Sequence, residues 1–196
     1  MMSLQRAVRV VAILNLAYFF VEFSVATRIG SVSLYADSVD FLEDASVNLL
    51  IAAALSWSPK RRAEVGMVLA ALLLVPGMAT LWAAWQEFRI RAAPEPVSLS
   101  ITGAGALAVN LTCAFLLARF RTHSGSLTKA AFLSARNDAL ANVAIIGAAT
   151  ITAVTASAWP DLLVGLGIAI MNADAAREVW KVSHEERRLA AAPPQP

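Results

Sequence analysis

The sequence predicts an all-α polytopic membrane protein, a bundle of six transmembrane helices, and three observations carry that expectation. The chain of 196 residues is 58% hydrophobic and only 15% charged, with a mean hydropathy of +0.63. A soluble domain carries about 25% charged residues. Apolar runs recur at the length of about 20 residues that a helix needs to cross about 30 Å of hydrocarbon. Lys and Arg, finally, gather in alternate connections. Arg6 and Arg9, Lys60 to Arg62, Arg119, Arg121 and Lys129, and Arg177, Lys181, Arg187 and Arg188 fall on one side. Arg28, Arg89 and Arg91 fall on the other, and Arg136 lies within a span. The positive-inside rule then puts both termini in the cytoplasm. The net charge of +2 and pI of 9.0 are thus a topology signal, with anionic lipid as the partner surface and no nucleic acid.

The spans follow in order. The first, about Val8 to Ala26, carries Asn15 and Glu22 and ends at a turn marked by Gly30. It reads as an anchor, since it is long and lacks an Ala-x-Ala exit. The second runs from about Val32 to Trp57. The third, about Val65 to Phe88, contains Pro76-Gly77, which predicts a kink. The fourth, about Val97 to Phe120, holds Gly103, Gly105 and Asn110, and the glycines read as packing positions. The fifth, about Ala130 to Val154, includes Arg136, Asn137, Asp138 and Asn142. The sixth, about Leu162 to Trp180, opens with Trp159-Pro160-Asp161, a helix start with an interfacial Trp. Residues 1–180 then form one transmembrane domain, and 181–196 form a short cytoplasmic tail with no folded domain. The single cysteine, Cys113, excludes intrachain disulfides and thiolate metal clusters.

The chemistry lies in the second and fifth spans. Asp37, Asp40, Glu43 and Asp44 stand in a segment otherwise apolar enough to cross the bilayer. An Asp at the centre of a membrane helix costs about 2.5–3.5 kcal/mol, so such groups face a partner, a cavity or a cation. Asp40, Asp44 and Asn48 are spaced i, i+4, i+8, one face of a helix. Ser134, Asp138 and Asn142 repeat that spacing, and Asp44-Ala-Ser-Val-Asn48 aligns with Asp138-Ala-Leu-Ala-Asn142. Span two enters from outside and span five from the cytoplasm, so both stripes reach comparable depth near mid-bilayer. Carboxylates with hydroxyl and amide oxygens suit a divalent cation.

These residues resemble the cation diffusion facilitator family, whose signature is an Asp or His, three residues, then Asp on helix two and a similar pair on helix five. The resemblance extends to Asn15 and Glu22, to Ser33-Leu34 and Ala36-Asp37, and to Trp159-Pro160-Asp161, and covers nearly the whole chain. It implies a metal site at Asp40, Asp44, Ser134 and Asp138, and exchange of divalent metal for protons by a homodimer in the inner (plasma) membrane, with no enzymatic activity. The chain departs from the pattern twice. Ser134 stands where His is common, with Asn137, Asn142 or water as other sources of a fourth ligand. The oxygen-only set leaves Mn²⁺, Fe²⁺, Co²⁺ and Cd²⁺ open beside Zn²⁺, the first expectation. The family's C-terminal cytoplasmic domain is also expected to be missing.

The remaining polar residues have plainer readings. Glu22 and Asn15 read as helix–helix or proton-path groups, Asp37 as a water-facing entrance group with a structural role as its alternative, and Arg136 as turned away from the cage to pair with Glu43, Asp37 or a neighbouring helix. His123 and His184 read as solvated. Two other functions fit the same stripes: a metal-binding membrane sensor or scaffold that moves nothing, and an antiporter of small organic cations.

Overall fold

The computed structural model describes residues 3–54, 78, 80–90, 92–118, 120, 126–171, 173, 177 and 188, without the side chains of 51, 53, 54 and 126–136. These residues form α1 (Leu4–Ile29), α2 (Val32–Ala54), α3 (80–90), α4 (Pro96–Ala118), α5 (Ser126–Thr155) and α6 (Trp159–Met171), with no strand among them. The protein is an all-α membrane bundle. The expected kink at Pro76-Gly77, both histidines, the Arg136 side chain and, apart from Arg188, the chain beyond Trp180 lie outside the described residues.

Helices α1 and α4, and the Asn137–Thr155 part of α5, are long and apolar enough to cross a membrane. Helix α2 is as long as α4, but its four carboxylates lower its hydropathy. The bundle is polar inside and apolar outside. Phe115 and Val154 are 71% and 84% exposed, whereas Asn15, Glu22, Asp37 and Asn142 are fully buried. That inversion is expected where lipid is the solvent.

Local signals set the helix ends. Ser3 caps α1, accepting from the Arg6 N–H at 3.4 Å. The chain leaves α1 at Gly30, whose φ of +71° a side chain would strain. Ser31 then caps α2, its Oγ accepting from the Leu34 N–H at 3.2 Å. Helix α4 opens on Pro96, with the Glu95 carboxylate accepting from the Val97 and Ser98 N–H groups at 2.9 and 2.6 Å. The Ser98 hydrogen bonds hold the exposed Glu95 carboxyl below the usual range. This cap therefore persists through neutral pH and is lost only as pH falls through that lowered value.

Helix α1 packs on α2, α4 on α5, α1 on α4 and α2 on α5, closing a four-helix ring. Two apolar clusters plug the ring. Ala26, Leu34, Leu99, Ile145 and Ala149, with Ile168 of α6, fill the end where α1 and α5 stop and α2, α4 and α6 begin. Val8, Val11, Cys113 and Leu117 fill the opposite end. The polar residues lie between.

Helices α3 and α6 pack against the start of α2 through Ala83, Ala84, Leu162 and Val32. Gly165 lets α6 approach closely, because a Cβ there would stand 2.6 Å from the Ser33 N and the Val32 carbonyl carbon. Backbone cannot yield as a side-chain tip can. Gly165→Ala is expected to destabilise the bundle by about 1–3 kcal/mol or more through overpacking, read as a lower midpoint of thermal unfolding in detergent. Gly103 and Gly105 are packing positions as expected. A Cβ at Gly103 would meet Ile145 at 3.1 Å, and one at Gly105 would collide with Tyr18, whose hydroxyl donates to the Thr102 carbonyl at 2.7 Å.

Candidate functional site

The site lies where α1, α2 and α5 face one another between the two apolar plugs. Helices α2 and α5 run antiparallel, and their register can be read residue by residue. The Asn142 Nδ2 donates to Asp37 Oδ1 at 3.4 Å, and Asp138, one turn earlier on α5, acts electrostatically on Asp40, one turn later on α2. In this register Asp40 lies near the level of Asp138. Asp44, which aligns with Asp138 in sequence, lies a further turn along α2 and turns to α1. There the Asn15 Nδ2 donates to Asp44 Oδ2 at 3.3 Å, while the Cys113 thiol donates to Asn15 Oδ1 at 3.3 Å.

The internal repeat also holds in hydrogen bonding. Asn48 donates to the Asp44 carbonyl at 2.8 Å, and Asn142 donates to the Asp138 carbonyl at 2.7 Å. Each amide is fixed by its own helix, four residues downstream of the matched aspartate. Each leaves its Oδ1 buried and without a hydrogen-bond donor among the described residues. A buried amide oxygen with no donor costs about 1–3 kcal/mol, and a hard cation would satisfy it.

Asp40, Asp44 and Asp138 lie within electrostatic reach of one another. Asp138 and Asp44 both act electrostatically on Asp40, and both act on Cys113. Asp44 is buried, while Asp40 and Asp138 are half-buried. Among the described residues, no three His, Cys, Asp or Glu side chains converge closely enough to hold a metal ion. The Ser134 side chain lies outside the described residues.

One expectation is corrected. Asp37 does not face water at an entrance but is fully buried, because Glu22 of α1 and Asn142 of α5 close over it. Glu22 is likewise fully buried, with neither carboxylate oxygen partnered among the described residues. Asn15 is a helix-to-helix group, as expected, through its hold on Asp44.

Asp161 does more than open a helix. Its carboxylate accepts from the Ser31 hydroxyl and the Val32 N–H, each at 2.7 Å, from the Ser33 hydroxyl, and from the Ser33 N–H at 3.5 Å. An acid on α6 therefore caps the N-terminus of α2, where the helix dipole favours negative charge. Ser31 and Ser33 were the available signal, because a Ser-rich helix start has donors left over for an acid on another helix.

Compared with known proteins, the family model described as the cation efflux transmembrane domain matches residues 8–185 of the chain. No curated protein matches it significantly.

Proposed function

Because the chain belongs to the cation efflux transmembrane domain family, and is accordingly a metal cation transporter, we propose that it exports a divalent metal ion from the cytoplasm in exchange for protons. Asp40, Asp44 and Asp138 would bind the ion, helped by the Ser134 hydroxyl and by the oxygens of Asn48 and Asn142. The observation that carries this reading is the antiparallel register that brings Asp40 near the level of Asp138.

The chemistry follows from charge. Several carboxylates in one water-poor space cannot all stay ionised without a counter-charge, so protons occupy the site when metal does not. A divalent ion needs the ionised carboxylates and displaces those protons. The apolar clusters at the two ends act as alternating plugs, each opening on one side as the bundle rocks about the mid-membrane site. In this reading the α1–α2 turn faces outside and both termini face the cytoplasm of an inner (plasma) membrane, an orientation that the distribution of Lys and Arg supports. An all-oxygen site accepts Mn²⁺, Fe²⁺, Co²⁺ or Cd²⁺ beside Zn²⁺. In this reading the working unit is a homodimer.

Proteoliposomes enclosing a pH-sensitive dye test the exchange, with each metal added outside in turn. Wild-type vesicles are expected to show metal-dependent proton movement that Asp44→Ala abolishes. Metal binding without proton or metal flux would favour a sensor. Movement driven by an organic cation and by no metal would favour the organic-cation antiporter.

A further inference from the structure

Glu87 of α3 is only 6% exposed, and among the described residues neither of its carboxylate oxygens has a hydrogen-bond donor. Its carboxyl lies against that of Asp161. The two acids are unequally provided for. Asp161 accepts from Ser31, Val32 and Ser33, so its negative charge is solvated by protein. Glu87 has no such donors. A buried carboxylate without a donor, set beside another carboxylate, is strongly disfavoured. One proton on Glu87 removes both faults, because its O–H then donates to Asp161.

Glu87 also borders open space. It lines a cavity of about 210 Å³ with Ser157, Trp159 and Leu162, and another of about 220 Å³ with Tyr35, Trp82 and Gln86. Among the described residues, the titratable groups facing it are Asp161 from α6 and Tyr35 from α2, while α1 contributes only Ile29 and Gly30.

We propose that Glu87 is a proton-binding site at the α1–α2 end of the bundle, whose bound proton, donated to Asp161, keeps α6 latched to the start of α2. Release passes the proton to water in the adjoining cavity and leaves a carboxylate facing Asp161. The like charges then push the α6 acid away from the α2 N-terminus, and α2 is the helix that carries Asp40 and Asp44. The pair takes no part in holding metal, since Asp161 meets α2 at Ser31–Ser33, well before Asp40. Only its use as a proton partner in metal exchange rests on the transport reading.

Infrared spectra of the purified full chain in lipid at neutral pH provide the test. The wild type minus Glu87→Gln difference is expected to contain a protonated-carboxyl C=O band that shifts in D₂O; a difference spectrum with no such band overturns the proposal. If Glu87→Gln does not fold, Asp161→Asn serves instead. It replaces the carboxylate that accepts the Glu87 proton by a neutral amide, so the band is expected to move in frequency, whereas no band, or a band at the wild-type frequency, overturns the proposal. In vesicles, Glu87→Gln is expected to flatten the dependence of metal flux on pH at that face, and an unchanged profile overturns the coupling. Absent flux in the wild type defeats the transport reading, while the infrared band still decides whether Glu87 holds a proton.

Discussion

Asp40→Asn and Asp138→Asn are each expected to reduce metal flux by about a thousandfold in vesicles. The amide keeps the shape and an oxygen but removes a unit charge from the place where a divalent ion would sit. At about 4 Å and an effective dielectric constant of about 20, even a pair of unit charges is worth about 4 kcal/mol, a lower bound for a divalent ion. At about 1.4 kcal/mol per decade, that is about three decades of affinity. The loss should be matched by weaker metal binding in isothermal titration, since both variants act on the ion itself. Flux within about threefold of the wild type in either variant would mean that this carboxylate is not a ligand. Asn15→Ala should cost less, because it removes only the amide that orients Asp44. Loss of such a supporting partner typically lowers metal affinity by about 10–100-fold.

Asp161→Ala is expected to be the most destabilising single substitution among the buried acids. It strands the Ser31 and Ser33 hydroxyls and the Val32 N–H in a buried setting where α6 meets α2. A lost cap costs about 1 kcal/mol, and each buried donor left unsatisfied about 1–3 kcal/mol. The total is therefore at least about 3 kcal/mol, or about 6–12 °C in the unfolding midpoint for a chain of this size. Asp161→Asn retains an acceptor oxygen and should fall between Asp161→Ala and the wild type. A shift of less than about 2 °C in Asp161→Ala would show that the donors find other partners and that Asp161 does not fasten α6 to α2.

What could be read from the sequence was whatever depends on one helix at a time. The i, i+4 spacing of Asp40 and Asp44 marks a helix face, and Pro96 and Gly30 mark helix ends. The family match over residues 8–185 agrees with the reading drawn from the two half-motifs. What could not be read depends on how helices meet. The alignment of Asp44 with Asp138 says nothing of which helix each residue meets, and the hydrogen bond from Asn15 of α1 to Asp44 depends on the packing of α1 against α2. Asp37 looked like an entrance residue because it lies near a helix start, and only the closure of α1 and α5 over it buries it. The environment of Glu87 is of the same kind, since nothing local in the sequence tells that an α6 carboxylate will lie beside it.

The central claim is that α2 and α5 offer their aspartates to one shared ion. In a Cys113→Ser background, Asp138→Cys and the Asp40→Cys/Asp138→Cys pair would be reduced and titrated with Cd²⁺. The ultraviolet Cd–thiolate absorption and the bound Cd²⁺ per chain would be measured together. A shared ion predicts absorption in the single variant, about twice as much in the pair, and one bound Cd²⁺ per chain in both. Two Cd²⁺ ions per chain in the pair, or no thiolate absorption at Cys-substituted Asp138, would contradict a shared site.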